Sequence, residues 1–124
     1  MIHFTHENDP KNIKKKKWGE EVMIHNKEYC GKILRFREGG KFSMHFHSEK
    51  AESWYVSKGV FWLTFIDTQT AERRRTQLHA GDIIDVGRNS PHQIEAITEG
   101  EIFEVSTEDN ENDSYRVEKG DSQQ

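Results

Sequence analysis

Short runs in which apolar and polar residues alternate dominate the middle of the chain, as in residues 42–47, 54–56 and 59–66. No window of about twelve residues shows the 3.6-residue apolar period of a helix. Glycine- and proline-containing turn sequences separate the runs, at residues 38–40, 57–59, 80–82, 88–91 and 99–101. The pattern predicts an all-β fold built from many short strands, as a sandwich or a barrel.

Length and composition predict a single domain with polar ends. The chain has 124 residues, and its 32% hydrophobic content is low for a globular domain. Nearly all the aromatic residues lie in the central stretch, whereas both ends are rich in charged and amide side chains. We therefore expect a polar N-terminal lead-in at residues 1–16, a barrel at 17–107, and a polar tail at 108–124 that packs partly on the barrel.

Charge and cysteine content indicate a soluble protein of the cytoplasm. The net charge of −4 does not favour nucleic-acid binding, and the four lysines at residues 14–17 are read as a solvated face. The single cysteine, Cys30, cannot form an internal disulfide. No apolar leader and no apolar run of about 20 residues is present, so we expect neither secretion nor a membrane partner.

Four residues form a candidate metal site. His45 and His47 are two apart on a predicted strand, so their side chains should share one face. Glu52 follows after a short turn, and His92 comes much later, after a proline at the start of another strand. Imidazoles with one carboxylate suit Zn, Fe, Mn, Ni or Co, so one divalent transition metal is the expected cofactor.

The same residues resemble the two sequence motifs of the cupin superfamily. Its first motif is a glycine, a His-x-His pair, a glutamate and a closing glycine, and Gly39, His45, His47, Glu52 and Gly59 fill these places with the family's spacing. The resemblance implies a double-stranded β-helix, which is a jelly-roll-like barrel. It also implies that the three histidines and the glutamate bind one metal.

The second cupin motif is matched less fully. Gly81 and His92 have the family's spacing. Gly87 stands where the family has proline, Asn89 where it has glycine, and Ala96 where it has asparagine. These departures affect the turn and a position that is not a ligand, and Gly87 and Asn89 still suit a turn that tolerates positive φ.

A closer resemblance, over about residues 17–119, is to the C-terminal isomerase domain of type II mannose-6-phosphate isomerases, the bifunctional mannose-1-phosphate guanylyltransferases. Residues 16–19 stand where that family has Arg-Pro-Trp-Gly. Residues 43–54 are similar to its Ser-Leu-Gln-x-His-x-x-Arg-Ala-Glu-His-Trp, and residues 112–118 to its Asp-Asp-Ile-Val-Arg-Phe-Glu. The family's nucleotidyltransferase domain has no counterpart in this sequence.

The departures from the isomerase domain concern the site itself. His45 replaces a glutamine, which adds a nitrogen ligand, and Lys50 replaces an arginine, which keeps the charge without the bidentate fork. Lys50 is therefore a candidate contact for the substrate. Trp54 shares the strand face of Glu52, and Lys41 shares that of His45, so both are further candidates for substrate binding.

Three functions remain open from the sequence. The resemblance favours a sugar or sugar-phosphate isomerase, a metal-dependent aldose–ketose isomerase for which the sequence identifies no catalytic base. An Fe(II)-dependent dioxygenase and a non-catalytic cupin that binds a small ligand are the alternatives. In each case the partner is a small, carbohydrate-like molecule. We also expect a homodimer, with residues 18–26 as the contact.

Overall fold

The computed structural model covers residues 1–124 and consists of eleven β-strands and three short 3₁₀ helices. This confirms the predicted all-β class. The strands are β1 (Ile13–Lys16), β2 (Gly19–Asn26), β3 (Cys30–Phe36), β4 (Met44–Phe46), β5 (Glu52–Lys58), β6 (Phe61–Ile66), β7 (Arg73–Leu78), β8 (Ile83–Val86), β9 (His92–Ala96), β10 (Gly100–Ser106) and β11 (Tyr115–Glu118). The 3₁₀ helices are Pro10–Asn12, Glu111–Asp113 and Asp121–Gln123.

The strands form two antiparallel sheets. The six-stranded sheet has the order β1-β2-β3-β10-β5-β8, and the five-stranded sheet has the order β11-β4-β9-β6-β7. Most neighbouring strands are distant in sequence, as when β10 lies between β3 and β5. This arrangement is the jelly-roll sandwich that the sequence predicted, and it brings side chains from far-apart motifs between the same two sheets.

The apolar core fills one end of the space between the sheets. Alternate residues of each strand point inward, so β5 contributes Trp54 and Val56 while β9 contributes Ile94 and Ala96. The buried cluster is Trp18, Leu34, Phe36, Trp54, Val56, Phe61, Leu63, Leu78, Val86, Ile94, Ala96 and Ile102. Because apolar side chains close this end, polar inward-facing residues are concentrated at the other.

The closing glycine of the first motif is required by the backbone. Gly59 has φ 94°, which L side chains rarely adopt, and a Cβ at this position would lie 2.6 Å from the Cα of Gly100. Two turns therefore cross at close range, and any larger residue at Gly59 would force them apart. The single cysteine, Cys30, is buried and free, as expected.

Both sheets extend beyond the boundaries predicted for the barrel, residues 17–107. β1 pairs with β2 and forms one edge of the six-stranded sheet, and β11 pairs with β4 and forms one edge of the five-stranded sheet. Lysines are suited to an edge strand because they discourage pairing with another chain. Because lysines replace the apolar residues that mark a buried strand, the run at 14–17 is not recognisable as a strand in the sequence.

The segment predicted to form a dimer contact, residues 18–26, does not offer a free strand edge. Its strand, β2, is hydrogen-bonded to β1 on one side and to β3 on the other. A homodimer stays a prediction, but it cannot rest on pairing through an edge of β2. No helix of the structure is long and apolar enough to cross a membrane.

Candidate metal centre

Three histidine rings meet at the polar end of the space between the sheets. His45 lies on β4, His47 follows β4 directly, and His92 is the first residue of β9 and the register partner of His45. The centroids of the His45 and His92 rings are 4.7 Å apart, and those of His45 and His47 are 5.0 Å apart. One ring nitrogen from each histidine lies within 4.8 Å of the others, so the predicted convergence of the three imidazoles is present.

Each imidazole is held in one orientation by a backbone carbonyl. The Nδ1 atoms of His45, His47 and His92 lie 2.8 Å from the carbonyl oxygens of Ser43, Asp113 and Ser90, respectively. A carbonyl can only accept, so Nδ1 must carry the hydrogen in all three rings. The lone pairs on Nε2 are therefore free to bind a cation, which is the arrangement that orients histidine ligands around metals.

The turn that precedes β9 is tied to the end of β4. Asn89 has φ 61°, and its backbone N–H donates to the carbonyl of His47 over 2.7 Å. This confirms the positive φ expected at Asn89 in the second motif. The hydrogen bond joins the two motifs and thereby keeps His92 near His47, with ring centroids 5.8 Å apart.

Glu52, the first residue of β5, stands beside two of the histidines. Its Oε2 is 3.6 Å from Nε2 of His47, and its Oε1 is 3.7 Å from Nε2 of His92. Oε1 also accepts a hydrogen bond of 2.8 Å from the indole N–H of Trp54. The indole therefore fixes the carboxylate, which points toward the imidazoles.

Nε2 of His92 is buried without a hydrogen-bond partner, and Oε2 of Glu52 accepts no hydrogen bond, although Nζ of Lys50 lies 3.2 Å from it. Leaving a buried acceptor unpaired costs about 1–3 kcal/mol, so native proteins rarely tolerate it without a reason. A cation bound between these two atoms would give Nε2 of His92 a partner and the Glu52 carboxylate a second cationic contact. The donor set of imidazole nitrogens and one carboxylate fits a divalent transition metal and does not distinguish among Zn, Fe, Mn, Ni and Co.

His45 and His92 are kept neutral, which is the form that binds metal. Burial, reinforced by the neighbouring imidazoles, lowers the pKa of His45 to about 2 and that of His92 to about 4. A charged imidazole would lose its hydration in this buried space and would be repelled by the neighbouring rings. The site is therefore prepared to accept a cation and not a proton.

Lys50 lies under the metal centre within a buried ionic network. Its Nζ is 3.1 Å from Glu104, 3.1 Å from Asp109 and 3.2 Å from Glu52. Burial disfavours the ammonium, but these carboxylates outweigh it and raise the pKa of Lys50. Asp109 is shared with Lys32, whose Nζ lies 2.9 Å away. Lys50 is thus fully occupied by protein carboxylates.

Asp113, in the C-terminal tail, fixes the loop between β4 and β5. Its carboxylate accepts hydrogen bonds from the backbone N–H groups of Ser48 at 2.8 Å, Glu49 at 3.1 Å and Lys50 at 2.9 Å. Burial opposes ionisation, but these hydrogen bonds outweigh it and lower the pKa of Asp113. The carbonyl of Asp113 also holds the ring of His47, so one residue positions the loop that connects two candidate ligands.

We expect Asp113→Ala to destabilise the protein by about 2–4 kcal/mol, because several hydrogen bonds to a charged group are lost together. Metal affinity should fall about 10–100-fold, as is typical when a group that orients a ligand is removed. Urea unfolding and a metal titration measure the two effects. Glu111→Gln, an exposed change in the same 3₁₀ turn, is the control. Equal behaviour of the two variants would contradict the assigned role of Asp113.

A cavity of about 480 Å³ opens above the three histidines, and only five of its lining residues are hydrophobic. Lys50, Glu52 and Trp54 contribute to its wall. Trp54 is also part of the apolar core, with its ring centroid 5.3 Å from that of His92. Lys41 does not line the cavity, and its backbone is paired with Asp121. Substrate contacts by these side chains remain predictions.

A jelly-roll fold with three histidines converging at one end is typical of the cupin class of proteins. The chain belongs to this family, because the family model described as "Cupin domain" matches residues 32–105. A search of curated proteins finds no significant match.

Several solved structures share the fold. The oxalate decarboxylase of Lactobacillus farciminis, in a formate complex, has 22% identity and a TM-score of 0.73, over 85% of this chain and 33% of that one. The Bacillus subtilis oxalate decarboxylase, which has Mn(II) centres, has 21% identity and a TM-score of 0.71, over 85% and 30%. The capsular polysaccharide assembling protein CapF of Staphylococcus aureus has 16% identity and a TM-score of 0.71, over 86% and 32%. The chain spans about a third of each, and at these identities the likeness concerns the fold alone.

Proposed function

We propose that this cupin is a metal-dependent enzyme that interconverts the aldose and ketose forms of a small sugar or sugar phosphate. The observation that carries the proposal is the convergence of three imidazoles and one carboxylate at the base of a polar cavity. A polyhydroxylated substrate suits such a polar wall better than an apolar substrate does. The resemblance to the isomerase domain over about residues 17–119 supports the same activity.

In this proposal His45, His47, His92 and Glu52 bind the metal through Nε2 atoms and a carboxylate oxygen. A divalent metal held there would act as a Lewis acid toward a carbonyl and its neighbouring hydroxyl. The indole of Trp54 keeps Glu52 in place, and Lys50 balances its charge.

Isomerisation also requires a group that moves a proton between adjacent carbons. With Glu52 assigned to the metal, Glu104 is the buried carboxylate on the cavity wall that is left for this role. It is connected to Glu52 through Lys50, whose Nζ lies 3.1 Å from Glu104 and 3.2 Å from Glu52. Burial, with repulsion from Glu52, raises the pKa of Glu104, and perturbed pKa values of this kind are typical of catalytic carboxylates.

An isomerase panel tests the proposal. The protein, loaded in turn with Zn, Fe, Mn, Ni or Co, is incubated with mannose, mannose 6-phosphate and other aldoses, and the ketose products are measured. We expect turnover of at least one aldose–ketose pair. Glu104→Gln should lower kcat about 10²–10⁴-fold without changing metal content. Absence of turnover with every metal, or oxygen consumption by the Fe(II) form with these substrates, would contradict an isomerase.

A further inference from the structure

The cations on the cavity wall fall into two groups. Lys14, Lys32 and Lys50 each have a carboxylate partner, with Lys14 3.1 Å from Glu111. Lys16 and Arg116 also line the cavity, but no carboxylate lies within ion-pair distance of either, and neither side chain donates a hydrogen bond to the protein. These two are therefore the cations of the cavity that are free to bind a ligand.

Register places Arg116 next to the metal centre. Arg116 on β11 is the direct partner of His45 on β4, and His45 is in turn the partner of His92 on β9. Directly opposed residues in antiparallel strands project from the same face, with Cβ atoms about 4.5–5.5 Å apart. The guanidinium of Arg116 therefore extends from the row of residues that carries two of the candidate ligands, and Arg116 is exposed at the cavity mouth.

Lys16 approaches from the other sheet. It is the last residue of β1, half-buried, and Lys14 and Lys16 share the face of the edge strand that lines the cavity. The two free cations thus belong to edge strands of opposite sheets, on either side of the same opening. A group bound between them would be held from both sheets.

The charges of the residues that line the cavity would favour binding of an anion once a metal is bound. Five cations and five carboxylates line the cavity: Lys14, Lys16, Lys32, Lys50 and Arg116, with Glu21, Glu52, Glu104, Asp109 and Glu111. Every one of these carboxylates already has a lysine partner. Because the five cations and the five carboxylates balance, a divalent metal leaves the lining with two net positive charges, and its field would attract an anionic ligand.

We infer that Lys16 and Arg116 form an anion subsite at the mouth of the cavity, so that the ligand is a small sugar derivative with a phosphate or carboxylate group. The inference rests on the proposed function for the sugar part and deepens it by naming the charged class. The anionic group binds the guanidinium and the ammonium, while the polyhydroxylated part reaches the metal centre. Arg116 supplies a planar fork that pairs with either anion, and Lys16 adds a point charge.

Binding measured without turnover tests this subsite. Metal-loaded wild type, Arg116→Gln and Lys16→Gln are titrated calorimetrically with mannose 6-phosphate, glucuronate and mannose. Lys58→Gln, at an unpaired lysine away from the cavity, is the matched control, and metal content and circular dichroism check that each variant is folded. We expect wild type to bind one of the anions more tightly than mannose, and each cavity variant to weaken that binding about tenfold or more. Preference for mannose 6-phosphate assigns a phosphate, and preference for glucuronate assigns a carboxylate.

The outcomes separate this inference from the proposed activity. Binding of mannose 6-phosphate that depends on Arg116, in a protein that isomerises no sugar, would overturn the activity and support the subsite. An active isomerase whose KM for a sugar phosphate is unchanged in Arg116→Gln and Lys16→Gln would overturn the subsite alone. Equal affinity of wild type for mannose and for both anions would likewise overturn it.

Discussion

Replacing His92 with alanine should lower the affinity of the protein for a divalent metal about 10²–10³-fold. Four-ligand zinc sites bind with about 10–16 kcal/mol, so one ligand accounts for about 2.5–4 kcal/mol. His92 is almost fully buried, its Nδ1 is held by the carbonyl of Ser90, and its Nε2 has no other partner. The indole of Trp54, whose ring centroid is 5.3 Å from that of His92, cannot take its place because it is a donor only.

Competition with a chromogenic chelator measures this loss. His79→Ala removes an exposed histidine and should leave the affinity unchanged. His45→Gln should cost less than His92→Ala, because the amide of glutamine still offers an oxygen ligand. An affinity of His92→Ala equal to that of His79→Ala would contradict the assignment of His92 as a ligand.

Replacing Lys50 with methionine should destabilise the metal-free protein by about 3–5 kcal/mol, the usual cost of removing one partner from a buried ionic network. Lys50 is only 4% exposed and lies within 3.2 Å of carboxylate oxygens of Glu52, Glu104 and Asp109. Without the ammonium, these like charges would face one another in a poorly solvated space. The large penalty arises from that repulsion, not from the loss of a favourable contact alone.

A double-mutant cycle in urea, with a chelator present throughout, measures this effect. Lys50→Met/Glu104→Gln should recover part of the stability, because one of the uncompensated carboxylates is then removed. Lys58→Met, at an exposed lysine of β5, should change the stability by less than about 0.5 kcal/mol. Additive effects of the changes at Lys50 and Glu104 would show that no such network operates.

The sequence predicts the fold class and the position of the site because both depend on local periodicity. Alternation of apolar residues defines the strands, and the two-residue spacing of His45 and His47 puts both rings on one face. The turn before His92 can also be predicted from the sequence, since Asn89 tolerates the positive φ that it adopts in the structure. These features can be read within a few neighbouring residues.

The supporting parts of the site could not be predicted in this way, because their partners are distant in sequence. The loop held by Asp113 lies more than sixty residues earlier, at separations of 63–65 residues. Lys50 resembles an ordinary surface lysine until the fold brings Glu104 and Asp109 around it. Only the long-range order of strands shows that a charged residue in the first motif is buried.

The charged strands at the two ends illustrate a related limit. β1 consists of an isoleucine and three lysines, and all four residues of β11 are exposed. Neither has the apolar alternation that identifies a strand buried on one face. They are strands because they complete sheet edges at the cavity mouth, and this position also makes Lys16 and Arg116 available to a ligand.

Anomalous diffraction from crystals of the metal-loaded protein tests the central claim most directly. We expect one strong peak about 2.0–2.3 Å from the Nε2 atoms of His45, His47 and His92 and from a carboxylate oxygen of Glu52. The three carbonyl hydrogen bonds to Nδ1 should persist in that structure, since they aim the ligands. A metal-loaded crystal with no peak among these four side chains, or with its peak elsewhere, would contradict the proposed centre.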